Sequence, residues 1–507
     1  MRLLSPLEAA DRAAGHLRSA LTDSSGSEQT VLAALAGYLL LWTLYGAVAK
    51  SSQGLHSDMT EIVAWSRDLS FGYLKHPPLA ASIVWLWFAV MPLAEWSYYL
   101  LAMLMPTIAL WIAWRLSADY LDIEKRVVAL ALLTLIPFYN FHALKFNVNT
   151  VLMPVWAATT FWFLRSYTTR NALYAALAGL GAAACMLGKY WSVFLLAGLF
   201  VTALIDTRRG AYFRSAAPWL TVAVGLIALA PHLYWLVHND FAPFGYALEI
   251  HGTKPFANAV KSVLGYLAGS LGYVAMPLIV ALVVARRSRT RLADIVWPAE
   301  GDRRLVATAF WAPFLLPTVS ALASGTELTS LWSMPAWTLL PVLLLSSPAV
   351  TLATADTRRV LIATVAVPMV MLLAAPGIAL MVQRAGPRPA AAHAQLLAIE
   401  IERAWHEATQ QPLRYVDGDA EIVYDVAAAA VDRPRALPKM PQPSAVELKR
   451  SGLAIVCFAD DAACCAAATS RASSVSGGSS FEIGIVRDYF RLPGKVRRYS
   501  IAILPPQ

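Results

Sequence analysis

The chain has 507 residues, 58% of them hydrophobic and only 14% charged. That balance is too apolar for a soluble domain, and several runs reach the ~20 residues needed to cross a bilayer, so the composition is that of a polytopic membrane protein. The net charge of +9 does not mark a nucleic-acid binder, because the arginines sit in short loops between apolar runs, where basic residues set membrane orientation.

In residues 1–30, Leu3, Leu4, Leu7, Ala10, Ala14, Leu17 and Leu21 share one helical face, with Arg2, Arg12 and Arg18 elsewhere; this predicts a cytoplasmic amphipathic segment. The apolar run 31–49 follows and ends in Ala47-Val48-Ala49, which resembles a signal-peptide cleavage site. The leader ahead of it is longer than such peptides carry, so the run is read as an uncleaved first span.

The loop 51–79 is the most distinctive stretch. It concentrates Asp58, Glu61 and Asp68 with Trp65, Phe71 and Tyr73, then Lys75 and His76 before Pro77 and Pro78. Residues 58–68 lack Pro and Gly and space Ile62, Val63 and Trp65 as a short surface helix would, which sets Asp58 and Glu61 on one face. His76 and Pro77 each precede a proline and are pushed towards extended geometry, so a turn presents Lys75 and His76.

Asp58, Trp65, Ser66, Gly72, Tyr73, His76, Pro77, Pro78 and Leu79 stand at the offsets found in the first outer loop of the dolichyl-phosphate-mannose-protein mannosyltransferase-like family of bacterial membrane glycosyltransferases, which the chain resembles. Two positions depart from that pattern. Met59 stands where a second acidic residue usually adjoins the first Asp, and Lys75 stands where an acidic residue usually precedes the His. The resemblance implies a C-superfamily glycosyltransferase fold that takes a sugar from a polyprenyl-phosphate carrier by inverting displacement. Asp58 is then the expected base.

Further candidate spans lie at 98–116, 127–139, 150–164, 172–187, 192–205, 218–237, 263–285, 305–323, 333–345 and 360–382, about eleven with the first. The short run 80–91 reads as a helix lodged at the outer surface. Arg115, Lys125, Arg126, Arg165, Arg170, Arg208, Arg209, Arg214, Arg286, Arg287, Arg289, Arg291, Arg303, Arg304, Arg358 and Arg359 all fall on one side, which is therefore cytoplasmic.

The opposite loops hold fewer cations. Residues 140–150 read NFHALKFNVNT, with polar positions His142, Lys145, Asn147 and Asn149. The amides suit a sugar hydroxyl or a helix cap but cannot act as a base. Lys189 follows Gly188 at a tight turn between two spans, where the family resemblance implies a hold on an anionic donor headgroup and where a snorkelling lysine is the alternative. The stretch 238–261 contains Tyr246, Glu249, His251 and Lys254 and is similar to a Glu-His loop of the same family, although here Ile250 separates Glu249 from His251. Trp332 and Trp337 flank Pro335 as an interfacial belt would.

Past RAGPRP at 384–389 the apolar runs shorten. Helices are expected at 391–409, 420–430 and 462–470, and strands at 413–416, 453–458, 481–487 and 495–504, which together make a small α/β domain. With an odd number of spans that domain lies outside. Cys457 is expected to pair with Cys464 or Cys465 in an oxidising periplasm, with Cys185 inside a span. No Walker motif, dinucleotide-binding glycine fingerprint or nucleophile elbow is present, which argues against a cytosolic nucleotide sugar as direct donor.

The organisation expected is a cytoplasmic amphipathic segment (1–30), a transmembrane core (31–383) with its catalytic loop at 51–79, and a periplasmic α/β domain (384–507), in a multi-pass protein of the bacterial inner membrane. Asp58 is the expected catalytic residue. Glu61, Tyr73, Lys75, His76, Lys145, Asn147, Asn149, Lys189 and His251 are the expected substrate-binding set. No cofactor is evident and a divalent metal stays open. The expected partners are a polyprenyl-phosphate sugar, lipid A or lipopolysaccharide core as acceptor, and membrane lipids. A protein O-mannosyltransferase, a lipid-linked-sugar flippase and a noncatalytic relative are the alternatives.

Overall fold

The computed structural model describes residues 6–23, 26–252, 255–285, 292–438, 440 and 442–507. Arg2, Leu3 and Leu4 of the amphipathic segment, Lys254, and Arg286, Arg287, Arg289 and Arg291 of the basic cluster lie outside the described residues. The chain forms two compact units. One takes in Met1–Thr43, His76–Leu79 and Tyr99–Leu372; the other takes in Leu44–Lys75, Ala80–Tyr98 and Leu373–Gln507.

The first unit is helical. Among the described residues of the whole chain six helices are long and apolar enough to cross a membrane: Ser27–Ala49, Glu95–Ser117, Ala217–His238, Phe256–Val283, Gly301–Ser324 and Thr354–Ala385. Shorter apolar helices occupy Leu79–Val90, Ala172–Gly188, Tyr190–Ile205 and Ser330–Leu345. The run expected at 127–139 divides because Pro137 cannot continue the helix Ile123–Thr134, and a separate short turn, Pro137–Tyr139, follows. Small residues let neighbouring helices close up. A Cβ on Gly198 would lie 2.5 Å from the Pro313 ring, and one on Gly179 would lie 2.5 Å from the Thr221 carbonyl oxygen, as in the close packing that membrane helices favour.

Charges gather at one end of this unit. Arg18 pairs with Glu124 at 2.8 Å, Arg165 with Asp119 at 2.6 Å, Arg208 with Asp302 at 2.5 Å and Arg358 with Asp11 at 2.8 Å. These bridges join segments far apart in sequence: the N-terminal helix Pro6–Thr22 and helix ends next to loops whose basic residues assign them to a single side.

The second unit contains the α/β domain. Its sheet has the order β2 (Arg435–Ala436), β1 (Tyr415–Gly418), β3 (Leu453–Phe458), β7 (Arg497–Leu504), β4 (Ser479–Ile485), with β5 (Asp488–Tyr489) and β6 (Leu492–Pro493) as a separate ribbon. The β2–β1–β3 side is parallel and β3–β7–β4 antiparallel. Side chains alternate as the pleat requires: Ala454 and Val456 enter one core with Trp405, Val423 and Ile501, while Leu453, Ile455 and Cys457 enter the other with Ala468 and Ala472. The helices Pro389–Ala408 and Ala420–Ala429 cover the first face and Ala462–Ser473 the second. Cys457 is bonded to Cys464, with Cα atoms 5.9 Å apart, and the Cys465 thiol donates to the Phe458 carbonyl at 3.3 Å.

Candidate active site

The helix Ser57–Ser66 begins where His56 turns extended and its Nδ1 accepts the Asp58 backbone N–H at 3.1 Å. This places Asp58 in the first turn, where a helix N-terminus favours negative charge. Its side chain is 32% exposed, and the His56 ring stands 3.8 Å from its carboxylate. Glu61, on the same face, is 9% exposed and accepts from Lys75 Nζ at 2.7 Å. A buried carboxylate is tolerated here because its cation is at hydrogen-bond distance. Lys75 thus stands as the counter-ion of Glu61, and the more exposed carboxylate of the pair on this face is Asp58.

The loop after the helix folds back on it. Tyr73 is 4% exposed and its ring stacks on Trp65 with centroids 5.2 Å apart. The Tyr73 hydroxyl lies 2.9 Å from the Trp65 carbonyl and 3.1 Å from the Asp68 carbonyl. Burial first, then the Asp68 charge, pushes its pKa up to about 12 against the pull of the Ser70 N–H. The ring therefore ties the loop together.

The opposite face of Ser57–Ser66 is gripped by the α/β domain. Thr60 donates to Asp425 Oδ1 at 2.7 Å, and Arg388 donates to Asp425 Oδ2 at 2.6 Å. Asp425 is 1% exposed. Burial raises its pKa to about 6 even though Arg388 and the Thr60 hydroxyl pull it down. Arg67 donates to the carbonyls of Ala427, Ala428 and Pro434, and Arg435 pairs with Asp68 at 2.8 Å. Burial and the nearby Arg433 lower the Arg67 pKa to about 10. Tyr98 donates to the Met59 carbonyl at 3.0 Å, and beside it a cavity of about 790 Å³ runs behind the helix, lined by Thr60, Val63, Tyr98, Asp425 and Arg487 among others. None of Thr60, Asp425, Arg388 and Arg67 stood out in the sequence; only the placement of Thr60 across the helix from Asp58 hinted at a held face.

His76, Lys145, Asn147, Asn149 and Lys189 belong to the helical unit. Lys189 caps the helix Ala172–Gly188 in an extended conformation. Its Nζ donates to Asn149 Oδ1 at 2.9 Å and sits 4.8 Å from the centre of the Trp332 ring, a cation on an aromatic face. Trp191 packs against Trp332 at 4.8 Å. Asn147 accepts the N–H groups of Asn149 and Thr150, which makes it the N-cap of Val148–Thr169. Lys145 lies in the same loop, where burial and its charge lower the pKa of His142. Lys189, Asn149 and Trp332 are thus brought together. His76 follows Lys75 directly and is partly buried. His251 ends the helix Ala242–His251, and its side chain lies outside the described residues. His232, which the sequence did not single out, is 2% exposed with Nε2 3.0 Å from the Tyr190 hydroxyl. Among the described residues no three His, Cys, Asp or Glu side chains gather as a metal site would require.

A family model for dolichyl-phosphate-mannose-protein mannosyltransferase matches residues 75–235. That stretch includes His76, Lys145, Asn147, Asn149 and Lys189 and begins after Asp58. The lipopolysaccharide core galacturonosyltransferase RgtB of Rhizobium johnstonii is 27% identical over 323 residues, 62% of this chain and 64% of that protein, so the match spans less than two thirds of that relative. Two crystal structures of ArnT from Cupriavidus metallidurans, one in the apo state and one bound to undecaprenyl phosphate, align at a TM-score of 0.60 over 96% of this chain and all of theirs, with 14% and 15% identity. The fold is therefore that of a polytopic α-helical membrane protein with a small α/β domain.

Proposed function

We propose that the chain, whose residues 75–235 match the family model for dolichyl-phosphate-mannose-protein mannosyltransferase, is a membrane glycosyltransferase that moves a sugar from a polyprenyl-phosphate carrier to an acceptor on the outer side of the inner membrane. The observation that carries this reading is the Asp58 loop. One face of a short helix offers an accessible carboxylate beside a second one, Glu61, that Lys75 already neutralises. Asp58 takes the proton of an acceptor hydroxyl, the hydroxyl oxygen attacks the anomeric carbon from the face opposite the phosphate, and the carrier phosphate leaves with inversion. Lys189, steadied by Asn149 and Trp332, is the cation assigned to that leaving phosphate, with Lys145 and His76 in support. The likeness to RgtB, a lipopolysaccharide core galacturonosyltransferase, favours lipopolysaccharide core, with its lipid A beside it, as acceptor and a uronic acid as the first sugar to try.

The test is the full chain in liposomes, given polyprenyl-phosphate sugars with lipid A, core or a serine-rich peptide, and mass spectrometry of each acceptor. A glycosylated envelope lipid is expected. Glycosylated peptide instead would make the chain a protein O-mannosyltransferase, and no glycosylated acceptor under any pairing would leave a flippase. In the same assay Lys189→Ala is expected to raise the KM for donor at least tenfold while kcat falls less, because the variant removes the cation assigned to the donor phosphate. Unchanged donor use would mean that Lys189 only reaches for the headgroup region.

The disulfide between Cys457 and Cys464 fits an oxidising compartment and supports a periplasmic C-terminal domain. A reporter that is active only outside the cytoplasm, fused after Gln507, is expected to be active. Activity solely of a cytoplasmic reporter would reverse the topology and move Asp58 with it.

A further inference from the structure

At the end of the apolar helix Thr354–Ala385, the second unit encloses a cavity of about 280 Å³ with a basic lining. Arg487, Lys495 and Arg497 face it together with His393 and Gln383, and among the described residues no aspartate or glutamate lines it. Pro389 and Ala392, in the first turn of the helix Pro389–Ala408, complete the wall. The N-cap of that helix, Arg388, makes no side-chain cap, so the partial positive charge of the helix end adds to the cations.

Backbone oxygens accept hydrogen bonds from two of these cations. Arg487 donates to the carbonyls of Ala392 at 3.2 Å and Ser51 at 2.7 Å, and Lys495 Nζ donates to the Ala385 carbonyl at 3.1 Å. Arg497 pairs with Asp460 at 2.8 Å through Nη2 and lies over the Phe458 ring, while its Nε is buried with no hydrogen-bond partner among the described residues. Burial and the Arg487 charge together lower the pKa of His393, whose Nδ1 is 2.9 Å from the Tyr499 hydroxyl. Asp460 pairs with Arg497 and the Glu95 charge reaches Arg487, but neither carboxylate lines the space, so an anion that enters it meets the cations directly.

Size and position narrow the anion. At a share of ~30 Å³ per water, the cavity takes a phosphate group and a few waters. Two guanidinium groups and an ammonium supply the forked and point donors that phosphate oxygens accept best. The helix that ends here is one of those able to cross the membrane, and such helices end at the level of lipid headgroups. We propose that this cavity is a phosphate-monoester site of the C-terminal domain, filled by a lipid headgroup at the membrane surface or by phosphate from solution. The site is separate from Asp58 and does not depend on the transfer reaction.

The test uses the full chain purified in detergent, in a Lys189→Ala background so that the assigned donor site contributes little. Melting temperature is followed against dioctanoyl phosphatidic acid, inorganic phosphate and, as control, dioctanoyl phosphatidylcholine. A ligand that binds the folded chain alone raises the midpoint saturably. Phosphatidic acid is expected to do so, and Lys495→Gln with Arg497→Gln is expected to need at least tenfold more lipid for half the rise. If inorganic phosphate matches the lipid, the source is solution; if only the lipid acts, the source is the headgroup. Should the double variant melt early without ligand, Lys495→Gln alone carries the comparison, because Lys495 is exposed and bonded to a backbone oxygen. No saturable rise from either probe, or a rise that Lys495→Gln leaves unchanged, overturns the site.

Discussion

Replacing Asp58 with Asn is expected to cut sugar transfer by about 10²–10⁴ at saturating donor, the range lost with a general base. The substitution keeps the shape of the side chain. It also keeps the bond at the helix start, in which His56 Nδ1 accepts the backbone N–H of residue 58. What disappears is the ability to take a proton from the acceptor hydroxyl. Glu61→Gln is the informative comparison, since Glu61 is buried against Lys75 and its loss should appear first as reduced stability. The measurement is single-turnover transfer with the full chain, alongside donor binding. Near-normal turnover in Asp58→Asn would remove Asp58 from the role of base. A rate that fell only in step with lost donor binding would make it a binding residue instead.

How far the sequence could be read depended on how local each signal was. In the α/β domain, strand and helix patterns repeat within a few residues, so β3 at Leu453–Phe458 coincides with the stretch expected from its apolar run. The two-residue strand β2 at Arg435–Ala436 and the helix Ala445–Ser451 are too short for a period to register. In the membrane unit, apolar runs located the helices, but Pro137 divided one of them. At the candidate site, the spacing of Asp58 and Glu61 gave the shared face. The neutralisation of Glu61 by Lys75 depended on how the loop folds back, which Tyr73 sets by stacking on Trp65. Least legible was the grip on Thr60, because its partner Asp425 lies 365 residues away and a buried polar contact at that separation leaves no periodic trace. Asn149 and Lys189 are likewise 40 residues apart, and each alone reads as an ordinary cap or turn residue.

Arg388→Ala should cost the fold about 3–5 kcal/mol near neutral pH, the usual consequence of stranding a buried charge. Asp425 is 1% exposed, and the substitution removes the guanidinium 2.6 Å from its Oδ2, leaving, among the described residues, the Thr60 hydroxyl on Oδ1. The pH dependence follows from the direction of the shift. Burial raises the Asp425 pKa to about 6 in the folded chain, against about 4 for a free carboxyl. The folded state therefore holds the proton more tightly, and this group's contribution to stability is full below pH ~4 and lost as pH rises to ~6. In wild type that loss is limited by Arg388. In Arg388→Ala the uncompensated carboxylate favours the protonated form still more, so the destabilisation measured at pH 7 should shrink at pH 5. Asp425→Asn should flatten the acid limb, and replacing both residues by leucine should recover most of the loss, since an apolar pair needs no counter-charge. Melting curves of the full chain at pH 5 and pH 7 provide the check. If Arg388→Ala melts with wild type at both, water reaches Asp425 and the α/β domain holds the Asp58 helix by other contacts; if the loss is equal at both, the pair acts through packing and not through charge.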